Sequence, residues 1–324
     1  MTELEASARV ALVVPSLDGR TDVLRASIDR QTRRPDELQV VVGVRPSGRA
    51  RNIGAWRTTG EILLFVDDDA VFGVDDAIAN LVAPLLEDAT IGVTGASKLV
   101  PREAPAFQQR VAQEVPRIEH AVVADPLETN PPPLRHGYVE ITTTCCAMRR
   151  SVFDEAGGFD EELERGVDTE FFYRVRRLGY RLLLVPNTWV YHPAPPTLAA
   201  LVRKHFLYGT GYAQEVRIDA SRAAGRYLRT PAHALAYIVI RTLALLPHAV
   251  FPYTHAAPDI RPGLKPLRAI ASYAAALGYV YGWYRCPVPR RGRRREVEPQ
   301  LGSSRCVRHL LVHLRRRLRH RHRG

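Results

Sequence analysis

The chain has 324 residues, 46% of them apolar, and a formal net charge of +12. That length holds one large domain or two modest ones, each able to bury a core. The charge is local: from Arg285 to the end there are 14 Arg against Glu296 and Glu298, so residues 1–284 balance to zero and the excess says nothing about the substrate of the body.

The N-terminal two thirds alternate strand-like and helix-like segments, which argues an α/β domain. Val10–Val14 is a continuous apolar run ending at Pro15, as in a buried strand. Thr21–Gln31 carries apolar residues at Val23, Leu24 and Ile28 and reads as a helix. Leu38–Val44 is a second strand, Ala50–Thr59 a helix ended by Gly60, and Ile62–Val66 a third strand running straight into Asp67. Ala77–Leu86 is helical and Ile91–Ala96 a fourth strand. Residues 101–136 read as irregular, with Pro131, Pro132 and Pro133 marking a surface loop. Val139–Met148 is a strand, Gly157 and Gly158 a turn, Thr169–Leu178 an amphipathic helix, and Arg181–Val185 and Trp189–Tyr191 two closing strands. Beyond a proline-rich break, Leu198–Tyr212, Ala232–Leu246 and Leu267–Tyr284 read as helices. The last two are apolar but short for a membrane span, so they fit a helical hairpin or helices lying in a membrane interface. Three regions follow: residues 1–197, 198–284, and a basic tail, 285–324, read as disordered or partly helical.

Four cysteines, two of them adjacent, suggest neither a disulfide framework nor a zinc site. The first 20 residues lack a basic start followed by an apolar run, so no secretory signal is expected and the cytoplasm is the expected compartment. The tail suits polyanions, and an anionic membrane surface fits it better than nucleic acid, because it has no interleaved aromatics. Only Lys98, Lys204 and Lys265 are lysines among the 46 basic residues. Such a skew makes Arg identity weak evidence for recognition.

Asp67, Asp68 and Asp69 at the end of an apolar strand are the sharpest chemical signal. Carboxylates so close raise one another's pKa unless a cation neutralises them. A hard divalent ion, Mn²⁺ or Mg²⁺, would do so and leave coordination positions for a diphosphate. A triple Asp taken alone is equally a solvated loop or a helix cap. Upstream, Arg51 and Asn52 are placed at the start of the helix that feeds this strand, where a cation and an amide could approach a nucleotide or diphosphate.

Several ordered motifs carry a resemblance. Val13, Val14 and Pro15, then Leu24, Ser27, Gln31, Pro35 and Glu37, lead to Ala50-Arg51-Asn52-Ile53-Gly54 and to Gly60-Glu61-Ile62-Leu63-Leu64-Phe65-Val66 before the three aspartates. Gly157-Gly158-Phe159-Asp160-Glu161, Gly166-Val167-Asp168, Arg174, Gly179-Tyr180, Pro186 and His192 follow in order. Over residues 9–192 the chain resembles the family-2 glycosyltransferases. The resemblance implies a GT-A fold, a single α/β domain around a mostly parallel sheet, with nucleotide-sugar binding in 9–100 and the acceptor side in 137–192. It implies a nucleotide-diphosphate sugar donor and inversion at the anomeric carbon. The C-terminal helices and tail would dock such a chain on the cytoplasmic face of a membrane, a placement that suits a lipid-linked or cell-envelope glycan acceptor. By position, Pro15, Arg51, Asn52, Asp67 and Asp68 would border the donor, Asp69 and His192 would hold the metal, and Asp168 would be the general base. Taken without the motif order, Asp168 is a helix cap and His192 a structural histidine.

Two departures stand out. Val42-Gly43-Val44 carries no acid where the family often places one for the nucleotide base. Val167 replaces the Glu that precedes the base. These leave two alternatives beside the transferase: a sugar nucleotidyltransferase, and a catalytically silent binding or scaffold protein of the same fold.

Overall fold

The computed structural model describes residues 8–129, 141–218, 228, 230–250 and 264–286. In chain order the elements are β1 (Val10–Ser16), α1 (Asp22–Asp29), β2 (Glu37–Val42), α2 (Ser47–Arg57), β3 (Ile62–Val66), β4 (Val71–Phe72) and α3 (Ala77–Glu87). Then come β5 (Ile91–Leu99), α4 (Ala106–Glu114), β6 (Leu127–Thr129), β7 (Cys145–Arg149), α5 (Arg150–Glu155), α6 (Val167–Arg177) and β8 (Arg181–Tyr191). Three longer helices follow: α7 (Leu198–Ile218), α8 (Pro231–Val250) and α9 (Pro266–Arg285).

The strands form one sheet in the order β2-β1-β3-β7-β5-β8-β4, with β6 pairing the first half of β8. β1, β2, β3, β5 and β8 run in one direction, whereas β4, β6 and β7 run against it. The middle of the sheet is buried on both sides because β1 and β3 are continuous apolar runs. Alternate residues feed different cores. Val10, Leu12, Val14, Ile62, Leu64 and Val66 pack under α1 and α3. Ala11, Val13, Leu63 and Phe65 pack on the opposite face with α5 and α6. There Phe65, Phe153, Phe159 and Phe171 form an aromatic nest with ring centroids 4.5–5.8 Å apart. Truncating a ring this buried costs about 3–5 kcal/mol, so the nest anchors the strand that ends in the aspartates.

The segment expected to be irregular contains α4 and β6. α4 exists because its apolar side, Val111 and Ala112 with Val115 beyond, is buried against Leu201, Leu267 and Ala271 of α7 and α9. Glu114 fixes that junction by accepting from the Leu267 N–H at 2.8 Å. The two closing strands are one, β8, whose register with β5 shifts between Gly95 and Ser97. α7 and α9 cross closely: a Cβ on Gly209 would strike the Ala275 carbonyl, and one on Gly278 the Phe206 carbonyl. α8 leaves Leu235, Ile240, Leu243 and Leu246 58–67% exposed. Among the described residues no helix is long and apolar enough to cross a membrane. The Pro131–Pro133 loop, residues 139–140 of the expected strand and the tail beyond 286 lie outside the described residues.

Candidate active site

β3 delivers Asp67 to the carboxyl edge of the sheet, and the chain then turns, with the Ala70 N–H donating to the Asp67 carbonyl at 3.1 Å. Asp67 Oδ1 takes a 2.6 Å hydrogen bond from Arg51 Nη2. The Arg51 side chain is only 5% exposed and its guanidinium lies 5.9 Å from the Phe159 ring centroid. Arg51 therefore neutralises and aims one carboxylate of the cluster. Its place differs from the sequence expectation: α2 begins at Ser47, so Arg51 and Asn52 sit mid-helix and not at a helix start. The helix begins earlier because Pro46 takes the N-cap position in extended backbone, and Ser47 and Gly48 carry no apolar pattern to announce it.

Asn52 is buried and its amide is fully engaged. Nδ2 donates to the Phe159 carbonyl at 2.9 Å and to Glu161 Oε1 at 3.0 Å, and Oδ1 accepts from the Phe159 N–H at 2.9 Å. It thus fastens α2 to the Gly157–Glu161 segment. Arg174 grips the same segment through the carbonyls of Ala156 and Gly158. Gly157 and Gly158 both adopt positive φ, +80° and +70°, which is why glycine stands there. Asp160 accepts from the N–H groups of Glu162 and Leu163, so its carboxylate serves the turn.

His192 comes from the far end of β8, where its N–H donates to the Leu99 carbonyl at 2.8 Å. Its Nε2 lies 3.3 Å from Asp69 Oδ1 and 4.0 Å from Asp67 Oδ2. Burial, then the charges of Lys98 and Lys204, hold the imidazole pKa well below its usual value, so the ring is neutral at pH 7. Asp69 is the opposite case. The recess around it and then the charges of Asp67 and Asp68 raise its pKa to about 6, although its side chain is half-exposed. Ligand atoms of Asp67, Asp69 and His192 all fall within 4.8 Å of one another. Two carboxylate oxygens that resist carrying their charges together, facing a neutral imidazole nitrogen, are a donor set that a divalent cation satisfies. Asp68 is half-buried beside them and contributes to the crowding.

Asp168 is the second residue of α6, directly after Gly166 at φ +76° and Val167 in the core. Its Oδ1 accepts from the Thr169 N–H at 3.0 Å, and its charge is felt by Lys98 and Cys146. Pro15, half-buried, lies opposite Val41 near the end of β1. Where the family often places an acid, Val42 is 53% exposed and Gly43 turns the chain at φ +73°. Cys145 and Cys146 are buried and free, and burial pushes both thiols well up, so neither is a nucleophile. The charges of Lys98 and Lys204 act on His192, and that of Lys204 on Asp69; the sequence marks these lysines as scarce but not as neighbours of the cluster.

A family model described as glycosyltransferase like family 2 matches residues 4–207. An O-antigen biosynthesis protein, RfbC, from Myxococcus xanthus is 24% identical over 58% of this chain but only 18% of its own length. The chain therefore spans less than a fifth of that relative. A mannosyltransferase from Pyrobaculum calidifontis, solved in complex with GDP-Man and Mn²⁺, shares the fold with a TM-score of 0.50. It is 18% identical, and the match covers 86% of this chain and 87% of that one. With its GT-A sheet and a family match over most of its length, the chain belongs to the family-2-like glycosyltransferases.

Proposed function

We propose that this chain is an inverting, metal-dependent glycosyltransferase that moves a sugar from a nucleotide-diphosphate donor to a glycan or lipid-linked acceptor at a membrane face. The observation that carries the reading is the meeting of Asp67, Asp69 and His192 at the carboxyl edge of the sheet, where open α/β sheets bind ligands. Asp69 and His192 would hold the metal, with Asp67 beside them and its Oδ1 bonded to Arg51. The mixed oxygen and imidazole set favours Mn²⁺ over Mg²⁺. When bound, the cation supplies charge neutralisation for the departing diphosphate.

The remaining chemistry belongs to the chain. Asp168 accepts the proton of the acceptor hydroxyl as its oxygen bonds to the anomeric carbon and the bond to the diphosphate oxygen breaks. Attack opposite the leaving group inverts that carbon. Asp67, Asp68 and Pro15 border the donor, whereas Asn52 acts by positioning the segment around Phe159. A glycan acceptor agrees with the name of the Myxococcus relative, an O-antigen biosynthesis protein.

The membrane reading rests on α8. Four outward side chains, each more than half exposed, would contribute on the order of 1 kcal/mol apiece on insertion into a membrane interface. Neither α8 nor α9 contains an acid, and the 14 arginines from Arg285 onward complement anionic headgroups at about 1 kcal/mol each. Binding to vesicles with 30% or so anionic lipid, lost in 0.5 M salt or with Leu243→Asp, is the expected result. Equal recovery of wild type and variant in the unbound fraction refutes it.

The catalytic assignment is tested by NMR of the glycosylated product. The anomeric configuration is expected to be opposite to that of the donor. Asp168→Asn is expected to lower kcat by about 10³, with nucleoside diphosphate affinity kept. A retained configuration, or near wild-type kcat in Asp168→Asn, contradicts the mechanism.

A further inference from the structure

Gly166 takes the N-cap position of α6 at φ +76° and gives it no side chain. The space is filled from elsewhere in the chain: a Cβ on Gly166 would strike Oε1 of Glu215. Glu215 belongs to α7 and is 4% exposed. One turn earlier on the same face, Gly211 sits so near the preceding loop that a Cβ there would come within 2.6 Å of the Arg165 carbonyl oxygen. Ile218, at the end of α7, packs on the core that contains Leu163, Val167 and Phe171. Gly211, Glu215 and Ile218 follow the helical period. One stripe of α7 therefore lies along residues 163–167, and Asp168 comes next.

The same segment also rests on α2. A Cβ on Gly48 would meet the Asp160 carbonyl oxygen and the Val167 side chain, and Asn52 holds both the N–H and the carbonyl of Phe159. The residues leading to Asp168 are thus gripped by α2 and by α7. In turn α7 is braced by α9: Ala213 and Val216 share a core with Tyr279, and Arg217 Nη1 donates to the Cys286 carbonyl at 2.6 Å. Burying a carboxylate is costly unless something offsets it. The start of a helix does so, because its unpaired amides carry partial positive charge. Val167, the first residue of α6, is apolar and in the core, so the start of α6 receives from α7 a carboxylate that residues 166 and 167 do not supply.

We propose that Glu215 is a positioning residue for Asp168: its carboxylate fills the place that Gly166 leaves open, fixes the Gly166 turn against α7, and so sets where the base stands at the start of α6. This rests on the reading of Asp168 as the general base. Glu215 lies beyond the residues that the family model matches, 4–207. A shift of the base by about 1 Å is enough to cost on the order of 10²-fold in rate.

The test uses the full-length protein in Mn²⁺ and the sugar nucleotide it hydrolyses from a panel of UDP-, GDP- and dTDP-sugars, with water as the acceptor. Glu215→Ala is expected to lower kcat by about tenfold or more, with KM for the donor within about twofold and the stoichiometry of nucleoside diphosphate binding unchanged. Glu215→Gln, which refills the place beside Gly166, is expected to stay within about threefold of wild type. Hydrogen exchange gives a readout apart from activity: the amides of residues 163–170 are expected to exchange about tenfold faster in Glu215→Ala than in wild type or Glu215→Gln. If Glu215→Ala does not fold, Glu215→Asp decides, since it keeps the charge but withdraws the oxygens from Gly166; its kcat should fall by about threefold or more at unchanged KM. Wild-type kcat in Glu215→Ala overturns the proposal, as does a loss that Glu215→Gln fails to restore, a loss confined to KM, or unchanged exchange over residues 163–170. The readings beneath it fail separately. Wild type that releases no nucleoside diphosphate from any donor refutes the glycosyltransferase reading, and undiminished hydrolysis by Asp168→Asn refutes the base assignment.

Discussion

Arg51→Met isolates what holds the acidic cluster in shape. The guanidinium is 5% exposed, donates to Asp67 at 2.6 Å and lies over Phe159. Removing one partner of a buried pair costs about 3–5 kcal/mol because the other charge is stranded. Asp67 is 25% exposed, so water recovers part of that, and about 2–3 kcal/mol is expected. For a domain of this size each kcal/mol shifts Tm by roughly 2–4 °C, giving a drop of about 4–12 °C in the metal-free protein. Asp67→Asn strands the guanidinium instead, whose Nε is already buried without a partner. The two changes together should therefore cost less than their sum, with a coupling of about 1.5–3 kcal/mol. Urea unfolding followed by circular dichroism in EDTA, on wild type, both single variants and the double variant, measures it. A coupling below about 0.5 kcal/mol would mean the pair is incidental, and that Arg51 does not set the position of Asp67.

Three further outcomes follow from the same geometry. Mn²⁺ binding should weaken about tenfold from pH 7 to pH 5, because below its raised pKa of about 6 the Asp69 carboxyl carries a proton that the metal must displace; titration calorimetry showing no pH dependence would contradict the ligand role. Asp69→Asn should stabilise the metal-free fold by about 1 kcal/mol at pH 7–8, a figure discounted for the half-exposed side chain, and the effect should be gone by about pH 3, below both pKa values. The sign follows from a carboxyl whose folded pKa lies above its unfolded value of 3.8: the ionised form costs stability above pH 6, and that cost is relieved as the pH falls. Asn52→Ala should cost about 2–3 kcal/mol, since the Phe159 N–H and carbonyl lose their buried partner; a loss under 0.5 kcal/mol or so in urea unfolding would show that α2 does not fasten that segment.

What the sequence made legible was local. Ile62–Val66 reads as a buried strand because every residue is apolar, and three aspartates directly after it can only stand at its end. The resemblance added His192, which no spacing rule joins to residues 67–69, and the structure brings them within ligand distance. The role of Asn52 was not legible, because an amide near a cluster reads the same whether it faces a ligand or closes on Phe159. α4 hid because its buried side is interrupted by Gln108 and Glu114, and only α7 and α9, far along the chain, complete its core. β4 and β6 are two and three residues long and exist as partners of β8. Pro186 divided β8 into two apparent strands, while the fold absorbs that stretch as an irregularity in the register with β5.

The most direct test of the account is a donor panel with purified protein and Mn²⁺, following release of UDP, GDP or dTDP, with Asp69→Ala as the control. Slow hydrolysis of one donor, reduced by about 10² or more in Asp69→Ala, is the expected result and would also name the nucleotide. No release from any donor, together with no Mn²⁺-dependent donor binding, would contradict the assignment of Asp67, Asp69 and His192 as the donor and metal site.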